Sequence, residues 1–395
     1  MRANRTRAWA AAAAVATALA ALPSGPARAD EESARDHGWD AIALPVLSYS
    51  TDLGLGFGAV GGAYVYGPGY RPYRHAVGAQ TYFNTKGGQS HFIRYDGPDL
   101  IGPIRLEAQV ELRRELHTPY YGSGNLSVPG LDAGDVWNQF SYERRAPRAW
   151  VRLRAHPFGR DHPLQLWAGY MLRAVEVRPY QGSLLAQAPP PGLPGGLAGQ
   201  ASAGALRDTR DDEANPTRGS VEEVAVRASG RATLSDYAFA GFMVSERRYL
   251  SLGSPALVLA GRAVLDHQVG NVPFFEWPQV GGIAVAEGIG GMTSVRGVPR
   301  DRFAGNTKAF ANLELRWLPL SFLLRGQRTH LGGVAFADAG RVWQPEVDDG
   351  PWYAWHPGTG VGLRAVRRAA VLRADWAISP ETLRSSLYLT VGQMF

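Results

Sequence analysis

No cysteine occurs in the 395 residues, so a disulfide scaffold and any thiolate-ligated zinc or iron–sulfur site are excluded. Past the N-terminal leader, long apolar runs are missing as well. A helical span needs about 18 to 20 consecutive apolar residues, but the longest uncharged stretch, Pro179 to Leu206, carries Pro189, Pro190, Pro191 and Pro194 and cannot form one helix. Sequence signals for catalysis are scarce: there is no Gly-x-Ser-x-Gly, no His-Glu-x-x-His and no phosphate-binding glycine loop. The nine histidines are scattered. Ser123 lies in a glycine turn without an assignable base, and Asp208, Asp211, Asp212 and Glu213 read as a solvated turn neutralised by Arg207 and Arg210. The reading is therefore a non-enzyme with no cofactor and no metal.

What is present begins with an export signal. Arg2, Arg5 and Arg7 precede the uncharged run Ala8 to Leu22, and Ala27, Arg28 and Ala29 have the form of a cleavage site. Residues 1–29 are read as a secretory signal and residues 30–40 as a short periplasmic segment. Cleavage removes four arginines from a formal net charge of +6, which takes away the basis for nucleic acid as a partner.

From residue 41 to residue 395 the dominant pattern is period-two alternation. Lys308, Phe310, Asn312, Glu314 and Arg316 interleave with Ala309, Ala311, Leu313, Leu315 and Trp317, giving a polar face and an apolar face with an aromatic at its end. Sixteen such segments run from 41–50 to 384–395, an even number as single-chain outer-membrane barrels have. The expected fold is all-β: a sixteen-stranded antiparallel transmembrane barrel. The long connections 117–136, 179–201, 268–306 and 339–357 each follow an odd-numbered segment and emerge on one side. With long loops outside, both termini are periplasmic.

Several local expectations follow. Segment 137–156 changes phase, from apolar even positions (Phe140, Tyr142) to apolar odd ones (Val151, Leu153), which predicts a bulge near Ala146 and Pro147 that shifts the register by one. The last segment ends on Phe395, the terminal aromatic that bacterial outer-membrane barrels carry as a C-terminal strand signal. Gly54, Gly56, Gly58, Gly61 and Gly62 in the first strand pair are consistent with a labile edge and equally with a barrel corner.

The 268–306 connection carries Gly281 and Gly282, then Ser294, Val295, Arg296 and Gly297. Here the chain resembles the BamA/TamA superfamily of assembly and secretion barrels, also called the bacterial surface antigen family. That family has a glycine pair and a Ser-x-x-Arg-Gly-type run at the tip of the long loop after strand eleven. Two further segments are similar to family motifs: Asp208, Arg210, Asp211, Pro216 and Gly219 around a periplasmic turn, and Phe336, Asp338 and Gly340 on strand thirteen.

The resemblance implies that the loop folds inward and pairs Arg296 with Asp338, with lumen-facing Glu314 as a second partner. It also implies a role in inserting or translocating proteins, or lipids, through a seam between the first and last strands. The partners that follow are outer-membrane lipids, unfolded outer-membrane or secreted proteins, and a separate periplasmic protein. Two departures stand out. Val298 replaces the usual aromatic, which predicts a loosely packed tip. The POTRA domains of well-known relatives have no counterpart in the ten or so residues ahead of the first strand, and this keeps a passive pore or structural surface barrel as the alternative.

Overall fold

The computed structural model describes residues 37–68, 70, 73–126, 138–283, 288–324, 326–345, 347–367, 370–380, 382 and 385–395. The expected signal, residues 1–29, lies outside them. Strand β1 is Gly38–Ser50, β2 Gly54–Tyr66, β3 His75–Asn84, β4 Gly88–Ile101 and β5 Ile104–Pro119. Strand β6 comes in two segments, Ser141–Arg145 and Arg148–Ala155, followed by β7 Leu164–Pro179, β8 Gly195–Asp208, β9 Gly219–Ser229 and β10 Phe239–Ser254. The last six are β11 Leu257–Gly270, β12 Thr307–Leu324, β13 Gln327–Trp343, β14 His356–Arg367, β15 Ala370–Ile378 and β16 Ser386–Val391. Each pairs antiparallel with its sequence neighbours, and β16 returns to β1, closing a barrel of sixteen strands. Strand β1 begins inside the segment expected to be a periplasmic lead.

Burial is inverted relative to a soluble protein. Val110, Leu112, Val226, Leu313, Trp317 and Leu363 lie exposed on the outer wall, while Arg296, Arg341, Arg364, Arg367 and Lys308 are among the largest fully buried side chains. That arrangement suits a wall facing hydrocarbon around a polar interior and rules out a soluble sandwich, whose inner face would be the apolar one. Among the described residues no helix is long and apolar enough to cross a membrane.

The expected register shift at Ala146 and Pro147 is not there. Glu115 faces Arg144 and Glu111 faces Arg148, and on the other side Arg145 faces Glu176 and Arg148 faces Arg173, so the register runs through the break. Even positions point inward throughout; what changes is the interior they meet. Near the long loops Phe140 and Tyr142 are buried in an apolar plug, while farther down Arg148, Arg152 and Arg154 line a polar lumen. Pro147 breaks the ladder because it has no N–H. The bulge sits instead in β5, between Glu115 and Thr118.

Strand β8 runs from Gly195 to Asp208 through glycines and alanines that show no alternation of polar and apolar residues. The end of the chain also differs from expectation. Strand β16 stops at Val391, Gly392 turns at φ +95°, and Phe395 is buried inside against Tyr249, Val258 and Ala260. The guanidiniums of Arg262 and Arg316 each lie 5.1 Å from its ring centre. Phe395 therefore does not extend the last strand.

The long-loop end is plugged. A 3-10 turn at Phe274–Glu276 places Phe274, Phe275 and Trp277 against Tyr142, Val177 and Phe239. The first long connection reaches across to β13, where Asn125 Nδ2 donates to the Val342 carbonyl (2.6 Å) and the Val342 amide donates to Asn125 Oδ1 (3.0 Å). Asn125 thus occupies a rung of the ladder beyond the point where β14 begins.

Candidate functional site

Two features lie where the sequence pointed: a loop clamped inside the barrel, and the junction of the first and last strands. The loop after β11 enters the lumen with its tip fully buried. Ser294 folds the tip on itself: its hydroxyl donates to the Gly288 carbonyl (2.6 Å) and accepts from the Gly290 amide (2.9 Å). Gly290 and Gly297 hold φ of +116° and +92°, conformations open to glycine at little cost. A Cβ on Gly297 would sit 2.7 Å from the Ile378 carbonyl.

Arg296 is fully buried and meets three carboxylates. Nε and Nη2 donate to Asp338 Oδ2 and Oδ1 at 2.8 and 3.0 Å, a bidentate fork. Nη1 donates to Glu314 Oε1 at 2.7 Å and to Asp375 Oδ2 at 3.0 Å. The guanidinium carbon lies 3.4 Å above the centre of the Phe336 ring, a desolvated cation–π contact. Asn312 completes the socket, donating to Asp338 Oδ1 (2.8 Å) and to the Ser294 carbonyl (2.5 Å).

The carboxylates have further partners: Arg316 donates to Glu314 (2.8 Å) and Arg364 to Asp375 (2.5 Å). Buried charges persist where such geometry satisfies them. The wall is shaped to admit the loop. Gly358 faces inward, and a Cβ there would collide with the Arg296 carbonyl. At Gly340 a Cβ would approach Val295 Cγ2 to 2.8 Å.

The residues singled out from sequence thus converge. Asp338 and Glu314 both pair with Arg296, Phe336 stacks under it, and Gly340 makes room beside it. Gly281 donates its amide to Asp266 Oδ2 (2.9 Å), and Gly282 turns at φ +113°. Val298, expected to pack loosely, is completely buried with Ile289 and Phe303, so the aliphatic side chain fills the place by close contact.

Sequence reasoning did not assign Asp375, although its polar position in the alternation of β15 was visible. It also missed Tyr388, whose hydroxyl accepts from the Gly297 amide at 3.2 Å. The turn motif forms a separate structure. Arg210 forks onto Asp208, with Nε to Oδ1 at 3.0 Å and Nη2 to Oδ2 at 2.6 Å. Asp211 Oδ1 accepts from the amides of Thr217 (2.9 Å) and Arg218 (3.2 Å). Partial burial pushes the Asp211 carboxyl up, but these bonds and the Thr217 hydroxyl outweigh it and hold it below its ordinary value. Gly219, at φ +98°, follows Pro216 and closes the turn where a Cβ would strike the Thr209 carbonyl.

At the junction, Tyr49 pairs with Leu389 and Ser50 with Tyr388. The Thr51 amide adds a bond to the Leu387 carbonyl (3.1 Å). No other β1–β16 rung occurs among the described residues, whereas β1 pairs with β2 from Gly38 to Ser50.

Comparison with known proteins bears on the family and the barrel fold. Residues 197–395 match the sequence profile of the Omp85 superfamily domain. A stretch of 121 residues is 36% identical to the outer membrane protein assembly factor BamA of Nitratidesulfovibrio vulgaris, covering 28% of this chain and 15% of that protein. The chain thus spans a small part of that relative's length. Among solved structures, BamA from Haemophilus ducreyi lacking POTRA domains 1–3 superposes with a TM-score of 0.58 at 16% identity, over 89% of this chain and 70% of that one. CdiB from Escherichia coli gives 0.57 at 12% identity, over 89% and 62%.

Proposed function

The chain belongs to the Omp85 superfamily, and on that premise we propose that it inserts or translocates polypeptides at the bacterial outer membrane. In this reading the long loops face outward, both ends of the barrel chain lie in the periplasm, and the client engages the junction of β1 and β16. The observation that carries it is the contrast between that junction and the rest of the wall. Two rungs close it, and β1 from Ala41 to Ser48 has no strand partner on that side among the described residues. Unpaired backbone groups facing lipid are costly, so this edge favours the arrival of another strand. The plug and the clamped loop argue against a passive open pore. The assembly factor named above, to which part of this chain is 36% identical, supports the same reading.

The test refolds the chain in liposomes, adds an unfolded outer-membrane barrel protein and follows its insertion against empty liposomes. Acceleration that Arg296→Ala weakens is the expected result. A verified folded barrel that gives no acceleration, and instead passes small solutes freely, would overturn it.

A further inference from the structure

The clamp around Arg296 lies against β11 to β15, and the rest of the loop meets β5, β6, β7 and β9 through Arg300–Glu115, Phe274–Tyr142, Glu276–Arg173 and Ile283–Glu223, while other inward side chains of β4 to β6 stay partly exposed. On β4, β5 and β6 the inward positions form a layered electrostatic surface. Arg94 Nη2 contacts Glu107 Oε1 at 2.5 Å, and Arg148 Nη2 contacts Glu111 Oε2 at 2.6 Å. Arg105 pairs with Asp96, while Arg152 and Arg154 lie 3.6 and 3.4 Å from Glu107 Oε2.

Exposure separates the two signs. The side chains of Asp96, Glu107 and Glu111 are 10%, 3% and 5% exposed, against 31% for Arg105, 41% for Arg94, 21% for Arg148, 16% for Arg152 and 21% for Arg154. The acids lie beneath and the guanidiniums lie above them. Five cations over three carboxylates leave two charges in excess, and the surface presented to the lumen is cationic. Arg154 Nε and Glu107 Oε2 face each other at 3.4 Å as an ion pair without hydrogen-bond geometry. Trp150 stiffens the layer, with Arg94 and Arg152 lying 5.5 and 5.0 Å from its ring centre.

Spacing supplies the ligand class. Arg148, Trp150, Arg152 and Arg154 occupy alternate residues of one strand, so they repeat at about 6.6 Å. An extended guest chain repeats its own same-side residues at that distance. Carboxylates match the guanidinium fork, and a polypeptide can present several in a row. We propose that this wall is a docking track for acidic unfolded polypeptide segments, held extended along β6. The inference rests on the proposed function and names the kind of segment the lumen receives.

The test uses the refolded full chain in nanodiscs, with two labelled short peptides, one alternating Glu with Ser and the other Lys with Ser, read by fluorescence anisotropy. The acidic peptide should bind roughly tenfold or more tighter than the basic one, about 1.4 kcal/mol. Its affinity should fall between about 0.05 and about 0.5 M salt as screening sets in. Arg152→Gln with Arg154→Gln should abolish the preference, and Arg94→Gln provides a milder variant if the pair fails to refold. Arg207→Gln, on the outer wall, should change nothing.

Equal binding of the two peptides, or a preference untouched by the lumenal variants, would overturn the track. So would inorganic phosphate displacing the acidic peptide at matched concentration, which would mark a simple anion site. A chain that accelerates insertion without acidic preference refutes this inference alone, and a selective track in a chain that never accelerates insertion refutes the proposed function alone.

Discussion

Removing the Arg296 side chain tests whether the inward loop is held by its charge. In Arg296→Ala, Glu314 keeps Arg316 and Asp375 keeps Arg364, whereas Asp338 is left with Asn312 Nδ2 as its side-chain donor. Stripping one partner from a buried pair costs about 3 to 5 kcal/mol. Because two of the three acids stay paired, the electrostatic part falls at the lower end, near 3 kcal/mol. Loss of the stack on Phe336 adds up to about 2 kcal/mol for a desolvated cation–π contact. At about 1.4 kcal/mol per factor of ten, the loss of about 3 to 5 kcal/mol should make the amides of residues 288–300 exchange with deuterium roughly 10² to 4 × 10³ faster. The strand ladders of β11 and β12 serve as an internal standard and should keep their protection. Arg296→Lys, which keeps the charge but loses the fork, should fall between wild type and alanine. Unchanged protection across 288–300 would refute the clamp. Equal loss across the whole barrel would refute its locality, making Arg296 a general strut.

Gly358→Ala should release the same loop by a different route, because its Cβ meets the Arg296 carbonyl. Gly261→Ala, with nothing closer than 3.9 Å, should be silent in the same exchange measurement. The cysteine-free chain permits a clean cross-link: Tyr49→Cys with Leu389→Cys joins facing residues of the seam, and oxidation should stop client insertion while reductant restores it. Insertion that continues at full rate in the oxidised form would exclude opening of that junction. At the Asp208–Gly219 turn the lowered Asp211 carboxyl contributes stability that is complete above its ordinary pKa of 3.8 and is lost as pH falls through the lower folded value. Protection of the Thr217 and Arg218 amides should therefore drop in acid, and Asp211→Asn should show the low protection at neutral pH as well.

What the sequence made legible was what local periodicity and charge can encode. Alternation along Lys308 to Trp317 determined which residues face the lumen. That Arg296 turns inward toward Asp338 was implied by the family resemblance, and parity allowed Asp338 and Glu314 as its partners. What stayed hidden depended on the far side of the barrel. The phase change in β6 looked like a register shift because the plug that covers Tyr142 comes from Phe274, more than a hundred residues away. Phe395 suited a strand end until Tyr249 and two guanidiniums supplied an interior site for it. Asp375 and Tyr388 join the loop through tertiary approach alone, and nothing adjacent to them in the chain announces it.

The two-rung junction makes this wall a sheet zipped at one seam by its last few teeth. Every other strand boundary must be unpicked along its length, while β1 and β16 separate at the expense of a few hydrogen bonds near Tyr49 to Thr51. Fewer backbone pairs hold that line than any other, and among the described residues β1 from Ala41 to Ser48 has no strand partner there. The wall is therefore uneven: strands pair over long registers around most of the circumference and over two rungs at this line among the described residues, which is where the proposed opening is placed.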